Sequence, residues 1–458
     1  MTTPLDSRIF RNMFGTEAIR AVFSDDALIQ RYLEVEAALA RAEARLGVIP
    51  SDAGTKITYA ATHLSVDIER LAHETEIVGY PILPLVRQLS EAAGEAGRYV
   101  HWGATTQDIM DTATVLQLRQ AIAIIEDDIV ELRVILAQLA QKYRDTPMAG
   151  RTHLQQALPV TFGYKTAVWL SMLDRHAERL APLKLRLFVG SFAGAAGTLA
   201  SLGNDGLDVH AALCDELELG RPSIAWHVAR DTFAEAVNFL GLLTGSLAKI
   251  ATDVSIMMST EFGEVAEPFV HGRGASSTMP QKRNPISCEL IIAAAKVVRQ
   301  QAALMLDATV QDFERSTGPW QVEWLAIPES FILSAGACAN ARFMLSGLIV
   351  DEARMRANLG LTAGLIVAEA VMMAAAPVLG RQLAHDKIYE ACRISVRSGQ
   401  PLAAVLTGMP EVVQALGGAD AIGQLCNPEN YLGCAPAMVD SLLAGRMDVA
   451  ASAKVMSE

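Results

Sequence analysis

The sequence predicts an all-α protein built around a bundle of five long helices, with shorter helices before and after it. Three features carry that reading. Residues 109–144 run without Gly or Pro, and at 1.5 Å per residue they would span ~54 Å. Four further runs of comparable character follow, at about 160–188, 231–262, 290–306 and 320–350. Little of the remainder shows the two-residue alternation of a strand.

Composition narrows the class of function. The chain has 458 residues, 51% of them hydrophobic, and a formal net charge of -13. A large core is possible, and nucleic acid is excluded as the main partner because phosphate binding needs a basic face. Anionic small molecules remain possible where cations gather in a cleft. The six cysteines have no CxxC spacing, which fits a reducing compartment and gives no metal signal. The N-terminus, MTTPLDSRIF, lacks a basic-then-apolar leader pattern. No run of about 18 apolar residues marks a membrane span. A cytoplasmic protein without metal or organic cofactor is the expectation.

In chain order, residues 1–107 read as an N-terminal domain of short helices. Within it, Leu28, Tyr32, Val35, Leu39 and Ala42 recur at helical spacing, with Asp25 and Asp26 at the helix start. His63 and His73 sit in polar surroundings and read as surface residues. RYVHWGATTQDIMDT follows, with Gly103–Thr106 as a loop and Asp108 as the N-cap of the first long helix. Residues 108–350 form the central long-helix domain. Asp145-Thr146-Pro147 breaks the first rod, and Gly190 to Gly203 is a small-residue loop. Residues 351–458, punctuated by Gly360, Gly364, Pro377, Gly399 and Pro401, read as a C-terminal helical domain with a mobile tail from Asp448. The rods are too apolar to leave a face in water, so contacts with other copies are expected.

The chemistry concentrates in GRGASSTMPQKRNPISCE, residues 272–289. It is glycine- and serine-rich, then basic, then runs into a helix start. Outward-pointing N–H groups at such a start make an anion site. Lys282 and Arg283 add charge, Asn284 an amide, and Ser276 and Ser277 hydroxyls.

SSTMPxKRNP resembles the shared loop of the fumarase/aspartase superfamily. HWGATTQDIMDT and GRTHLQQALPVT are similar to that superfamily's first and second shared regions, in the same order. The resemblance covers nearly the whole chain. It implies a three-domain fold whose central helices pack as a twenty-helix core in a homotetramer. It also implies active sites drawn from three subunits, acting on an anionic di- or tricarboxylate.

The resemblance further implies a role for each matching residue. Ser276 is the base that removes a proton next to a carboxylate. Lys282 and Asn284 hold the developing charge, with Ser277 and Met279 beside them. Thr105, Thr106 and Gln155 bind carboxylate, and His101 lines the substrate. His153 of GRTH is the general acid or relay, and Glu289, five residues beyond Asn284, orients it. Tyr80 and Trp324 stand where adenylosuccinate lyase carries a histidine and a phosphate-binding arginine. Arg315 and Arg230 are candidate anion binders or helix-pairing residues.

The wording YVHWGATTQDIMDT, ASSTMPQKRNP and FERSTGPWQVEW is most similar to the bacterial 3-carboxy-cis,cis-muconate cycloisomerases, which implies lactonisation. That branch lacks the GRTH histidine and its glutamate. Retention of His153 and Glu289 points instead to a lyase that eliminates fumarate from a succinyl-type, N-substituted aspartate-like substrate. Adenylosuccinate lyase is a further alternative, and a non-catalytic role like that of the lens crystallins a remote one.

Overall fold

The computed structural model describes residues 3–455, with side chains up to Arg446. The expected mobile tail from Asp448 lies outside the described side chains. The first long N-terminal helix, α1 (Asp25–Leu46), begins where Ser24 accepts from the Ala27 amide. It ends at Gly47, whose φ of 77° a residue with a side chain would adopt only under strain. Tyr32, Val35, Leu39 and Ala42 are buried along it, as the spacing requires.

The five long helices are α2 (Thr106–Lys142), α3 (Phe162–Leu187), α4 (Asp231–Met257), α5 (Ile286–Asp307) and α6 (Pro319–Ser346). By length and composition alone α4 and α6 could cross a membrane. Phe233, Leu240, Leu247, Phe331 and Met344 are buried inside the chain while Leu242 and Leu325 stay exposed, so core packing accounts for part of that composition.

The segment between α2 and α3 departs from the sequence reading. GRTHLQQALPVT is a β-hairpin, β1 (Pro147–Thr152) against β2 (Gln155–Thr161), antiparallel and bulged between Ala149 and Arg151. Its alternation is obscured by Pro159 and by that bulge, so no period-2 signal survives. The only other paired strands among the described residues are the two-residue pieces Val265–Ala266 and Ile349–Val350.

The chain divides into two compact units, each made of discontinuous segments. One comprises Met1–Val130, Arg175–Ala248 and Leu290–Asn340. Its interior holds Trp226, Phe233 and Trp320 packed about the buried Arg230. The other comprises Glu131–Asp174, Lys249–Glu289 and Ala341–Glu458. It contains the hairpin and a cluster of short C-terminal helices packed through Val371, Ile388, Leu402, Leu406 and Val412.

Candidate active site

The first piece of the site is the turn that opens α2. Thr105 precedes the helix and Asp108 is its third residue, not its cap. The Asp108 carboxylate accepts from the Thr105 amide at 2.9 Å, the reciprocal half of a capping box. The same carboxylate accepts from the Ala193 and Gly194 amides at 2.8 and 3.0 Å and contacts His227 Nε2 at 2.7 Å. Asp108 is thereby fully buried and fully used. It fixes the turn against the small-residue loop, and Thr112 exchanges two further hydrogen bonds with Ser191 there.

Thr105 keeps its hydroxyl for another partner. Arg315 Nη1 donates to Thr105 Oγ1 at 3.0 Å and Nη2 to the Ala195 carbonyl at 3.1 Å. No carboxylate pairs with Arg315 among the described residues, so a half-buried guanidinium beside Thr105 is left with its charge uncompensated. Thr106 begins the helix at the same place. His101, at φ 62°, contacts Glu36 through Nδ1 at 2.6 Å. Burial lowers its proton affinity, but the charge and hydrogen bond of Glu36 outweigh that and raise its pKa.

The second piece is the hairpin. Its two-residue turn is His153–Leu154, with φ of 53° and 63°. Positive φ at both central positions is the twist-matched hairpin turn that Asn-Gly normally supplies. Here two residues with side chains adopt it, at a conformational cost of roughly 1–2 kcal/mol each. The stem withstands this. Arg151 makes a two-pronged pair with Glu264 at 2.9 and 2.6 Å and lies over the Phe262 ring. Asn358 donates to Glu264, and Gln156 donates to the Asn358 carbonyl. The tip, His153 to Gln155, is exposed. A rigid stem thus presents an imidazole to the outside of the chain.

The third piece is the loop before α5. Its neck is zipped where Asn284 N donates to Gly274 O at 3.0 Å and Ala275 bridges Arg283. Gly274 has φ 69°, and a Cβ there would meet the Asn284 carbonyl at 2.6 Å. Above the neck, Ser276 Oγ accepts from the Thr278 amide at 3.3 Å and the Met279 amide at 3.1 Å. Two N–H groups aimed at one hydroxyl oxygen favour its deprotonated form. Ser277, Met279 and Lys282 are exposed on the same loop.

The helix start itself is not an open anion site. The buried Glu267 carboxylate already accepts from the Ser287 and Cys288 amides at 3.2 and 3.0 Å. Arg283, though exposed, is engaged within the loop, donating to the Glu267 carbonyl and lying over the Phe269 ring. Ser276, Lys282 and Asn284 are the loop's remaining candidates for anion binding. Glu289 is exposed in the first turn of α5 and, among the described residues, makes no ion pair with His153.

A family model described as "Lyase" matches residues 13–299, and one described as "Adenylosuccinate lyase C-terminus" matches residues 364–442. The chain belongs to the fumarase/aspartase superfamily of lyases. It is 47% identical over 442 residues to a 3-carboxy-cis,cis-muconate cycloisomerase of Pseudomonas aeruginosa, covering 96% of each chain. It is 40% identical over 439 residues to the N-acetyl-S-(2-succino)cysteine lyase of Dickeya dadantii, again covering 96% of each. Its fold matches the crystal structure of a fumarate lyase from Mesorhizobium sp. BNC1 at TM-score 0.90 and 57% identity, over 94% of this chain and 98% of that one.

One candidate of this superfamily enzyme is corrected by its surroundings. Arg230 is 1% exposed and is clasped by Asp111 at 2.7 and 2.9 Å and by Glu323 at 2.9 and 2.5 Å. Burial opposes its charge, and the two carboxylates more than restore it. Four of its five N–H groups are taken by these two carboxylates, and its burial keeps it from a substrate. Tyr80 and Trp324 form one aromatic group with Trp320: Tyr80 stacks on Trp320 at 5.6 Å and meets Trp324 edge-on at 6.1 Å. Asp108's central role, Glu267 and the Arg151–Glu264 pair were not singled out by sequence. Only Asp108 left a local trace, the Thr-x-x-Asp spacing of a capping box.

Proposed function

We propose that this superfamily lyase catalyses reversible β-elimination from a substituted succinate, cleaving the bond to nitrogen or sulfur and releasing fumarate. The hydrogen-bonding of Ser276 carries the reading. A serine is a weak base in water, and the two amides at its oxygen supply part of the stabilisation its alkoxide needs. Ser276 removes the proton next to a carboxylate, and the resulting dianion is held by Lys282 and Asn284. Arg315, Thr105, Thr106 and Gln155 bind the carboxylates. His153, oriented by Glu289, donates a proton to the leaving group.

His153 and Glu289 are both exposed, with no ion pair between them among the described residues, which fits their meeting across protomers. Apolar side chains left exposed on the long helices, Val134, Val168, Leu242, Val297 and Leu325, are what a homotetrameric helical core would cover. The names of the Dickeya and Mesorhizobium proteins support elimination. The cycloisomerase likeness supports lactonisation as the second reading.

Incubation with N-substituted aspartates, S-substituted 2-thiosuccinates and 3-carboxymuconate separates the two. Fumarate from the first two groups supports elimination. Lactone from carboxymuconate, with no fumarate from any succinate, establishes the alternative.

A further inference from the structure

Beside the first piece of the site lies a cavity of about 300 Å³. One wall is the α2 face of Met110, Thr114 and Gln117. The other is the α6 face of Trp320, Trp324 and Ile327. Both triplets follow the i, i+4, i+7 spacing of a single helix face. Met110 lies five residues along α2 from Thr105, a rise of roughly 8 Å. Trp320 lies five residues beyond Arg315. The α2 wall of the cavity therefore begins about one substrate length from Thr105.

Its polar lining is already committed. Asp111 and Glu323 share Arg230 as hydrogen-bond partner, and Trp320 Nε1 donates to Asp111 at 3.2 Å. Thr114 donates to the Met110 carbonyl, Thr75 to the Leu71 carbonyl and Gln117 to the Val22 carbonyl. No lining cation is available to a phosphate or carboxylate, and both lining carboxylates already accept from Arg230. What an occupant meets is aromatic and aliphatic surface. The Tyr32 hydroxyl and the Trp324 indole N–H are the polar groups with no hydrogen bond to the described residues.

We infer that this cavity receives the leaving group, and that the group is uncharged and apolar, of a size between a short alkyl chain and one aromatic ring. The inference rests on the elimination reading for the words "leaving group"; the cavity's preference for apolar ligands stands without it. A pocket near the lower end of ligand-site volumes, walled by aromatics with few polar handles, selects such a group by shape and dispersion. A nucleotide leaving group would find neither the volume nor a phosphate partner here.

The test uses the full chain and nitrobenzene, which quenches tryptophan fluorescence on contact. Saturable quenching is expected. Thr114→Phe and Leu28→Phe fill the cavity from two sides, and each should raise the dissociation constant at least tenfold. Melting curves show which variants are folded, and either folded variant suffices. Separately, N-benzylaspartate should have a KM at least tenfold below that of aspartate, and the difference should vanish in the filled variants. Non-saturating quenching in the unmodified protein, or an unchanged constant in a folded filled variant, overturns the cavity as a binding site. Equal KM values for the two succinates overturn its assignment to the leaving group. If no succinate yields fumarate while nitrobenzene binding behaves as described, the elimination reading fails, the leaving-group assignment falls with it, and the apolar site is upheld.

Discussion

Thr105 and Arg315 lie 210 residues apart in the chain and 3.0 Å apart in space. Asp108 fixes the Thr105 backbone through its amide, and the Thr105 hydroxyl accepts from Arg315. Arg315 has no carboxylate counter-charge among the described residues, so an incoming carboxylate gains a charge-assisted bond of about 1.5–3 kcal/mol. Arg315→Met should raise KM for the dicarboxylate roughly 10- to 100-fold. Asp108→Asn should raise it as well, through a displaced Thr105. A wild-type KM in Arg315→Met would remove that residue from carboxylate binding.

Ser276 is half-buried on a loop, where its Oγ accepts only from the neighbouring Thr278 and Met279 amides. Ser276→Ala should lower fumarate release by at least about 10²–10⁴-fold, the range for a lost general base. Its melting temperature should match the parent, since surface changes of this kind stay within about 0.5 kcal/mol. Turnover near the parent rate would dismiss Ser276 as the base.

His153 and Ser276 are expected to serve one site from different protomers. Inactive Ser276→Ala and His153→Ala proteins, mixed and allowed to exchange subunits, should regain part of the parent activity. If sites are shared between protomers as proposed, some sites in the hybrids combine intact copies of both residues. No recovery after demonstrated exchange would mean that a single chain supplies both.

Glu43 is fully buried and its carboxyl is pushed up to about 9, by burial first and then by neighbouring Glu36. Between its ordinary value of 4.5 and about 9, the folded state keeps a proton that the unfolded chain releases. Stability must fall as pH rises through that window. His101 acts in the same direction: the stability its raised pKa gives is full below 6.5 and is lost as pH rises through the folded value. Glu43→Gln should flatten the decline and stabilise the protein at pH 8 by about 1–3 kcal/mol. Thermal melts at pH 5 and pH 8 with the parent's slope in the variant would refute this.

Arg230 is the counter-charge shared by two buried carboxylates. Arg230→Met should cost about 3–5 kcal/mol of stability, because a buried charge left unpaired is the dominant loss. The measurement is a denaturant midpoint. An unchanged midpoint with a raised KM would return Arg230 to the substrate-binding set.

Residue order alone was enough for the helical rods, the buried stripe of α1 and the loop that carries Ser276. Each of these is local. A stretch without breakers, a 3.6-residue period or a run of residue types is complete within tens of positions. The hairpin stayed hidden because a bulge and Pro159 erase its alternation. Its His153–Leu154 turn contradicts local preference and holds only because Arg151, Glu264 and Asn358 brace the stem. Whether an arginine is free or engaged was decided by partners more than 90 residues away: Arg230 by Asp111 and Glu323, Arg315 by Thr105. Glu267 closed a helix start that looked open. Such pairings depend on distances the folded chain sets, and residue order along the chain does not contain them.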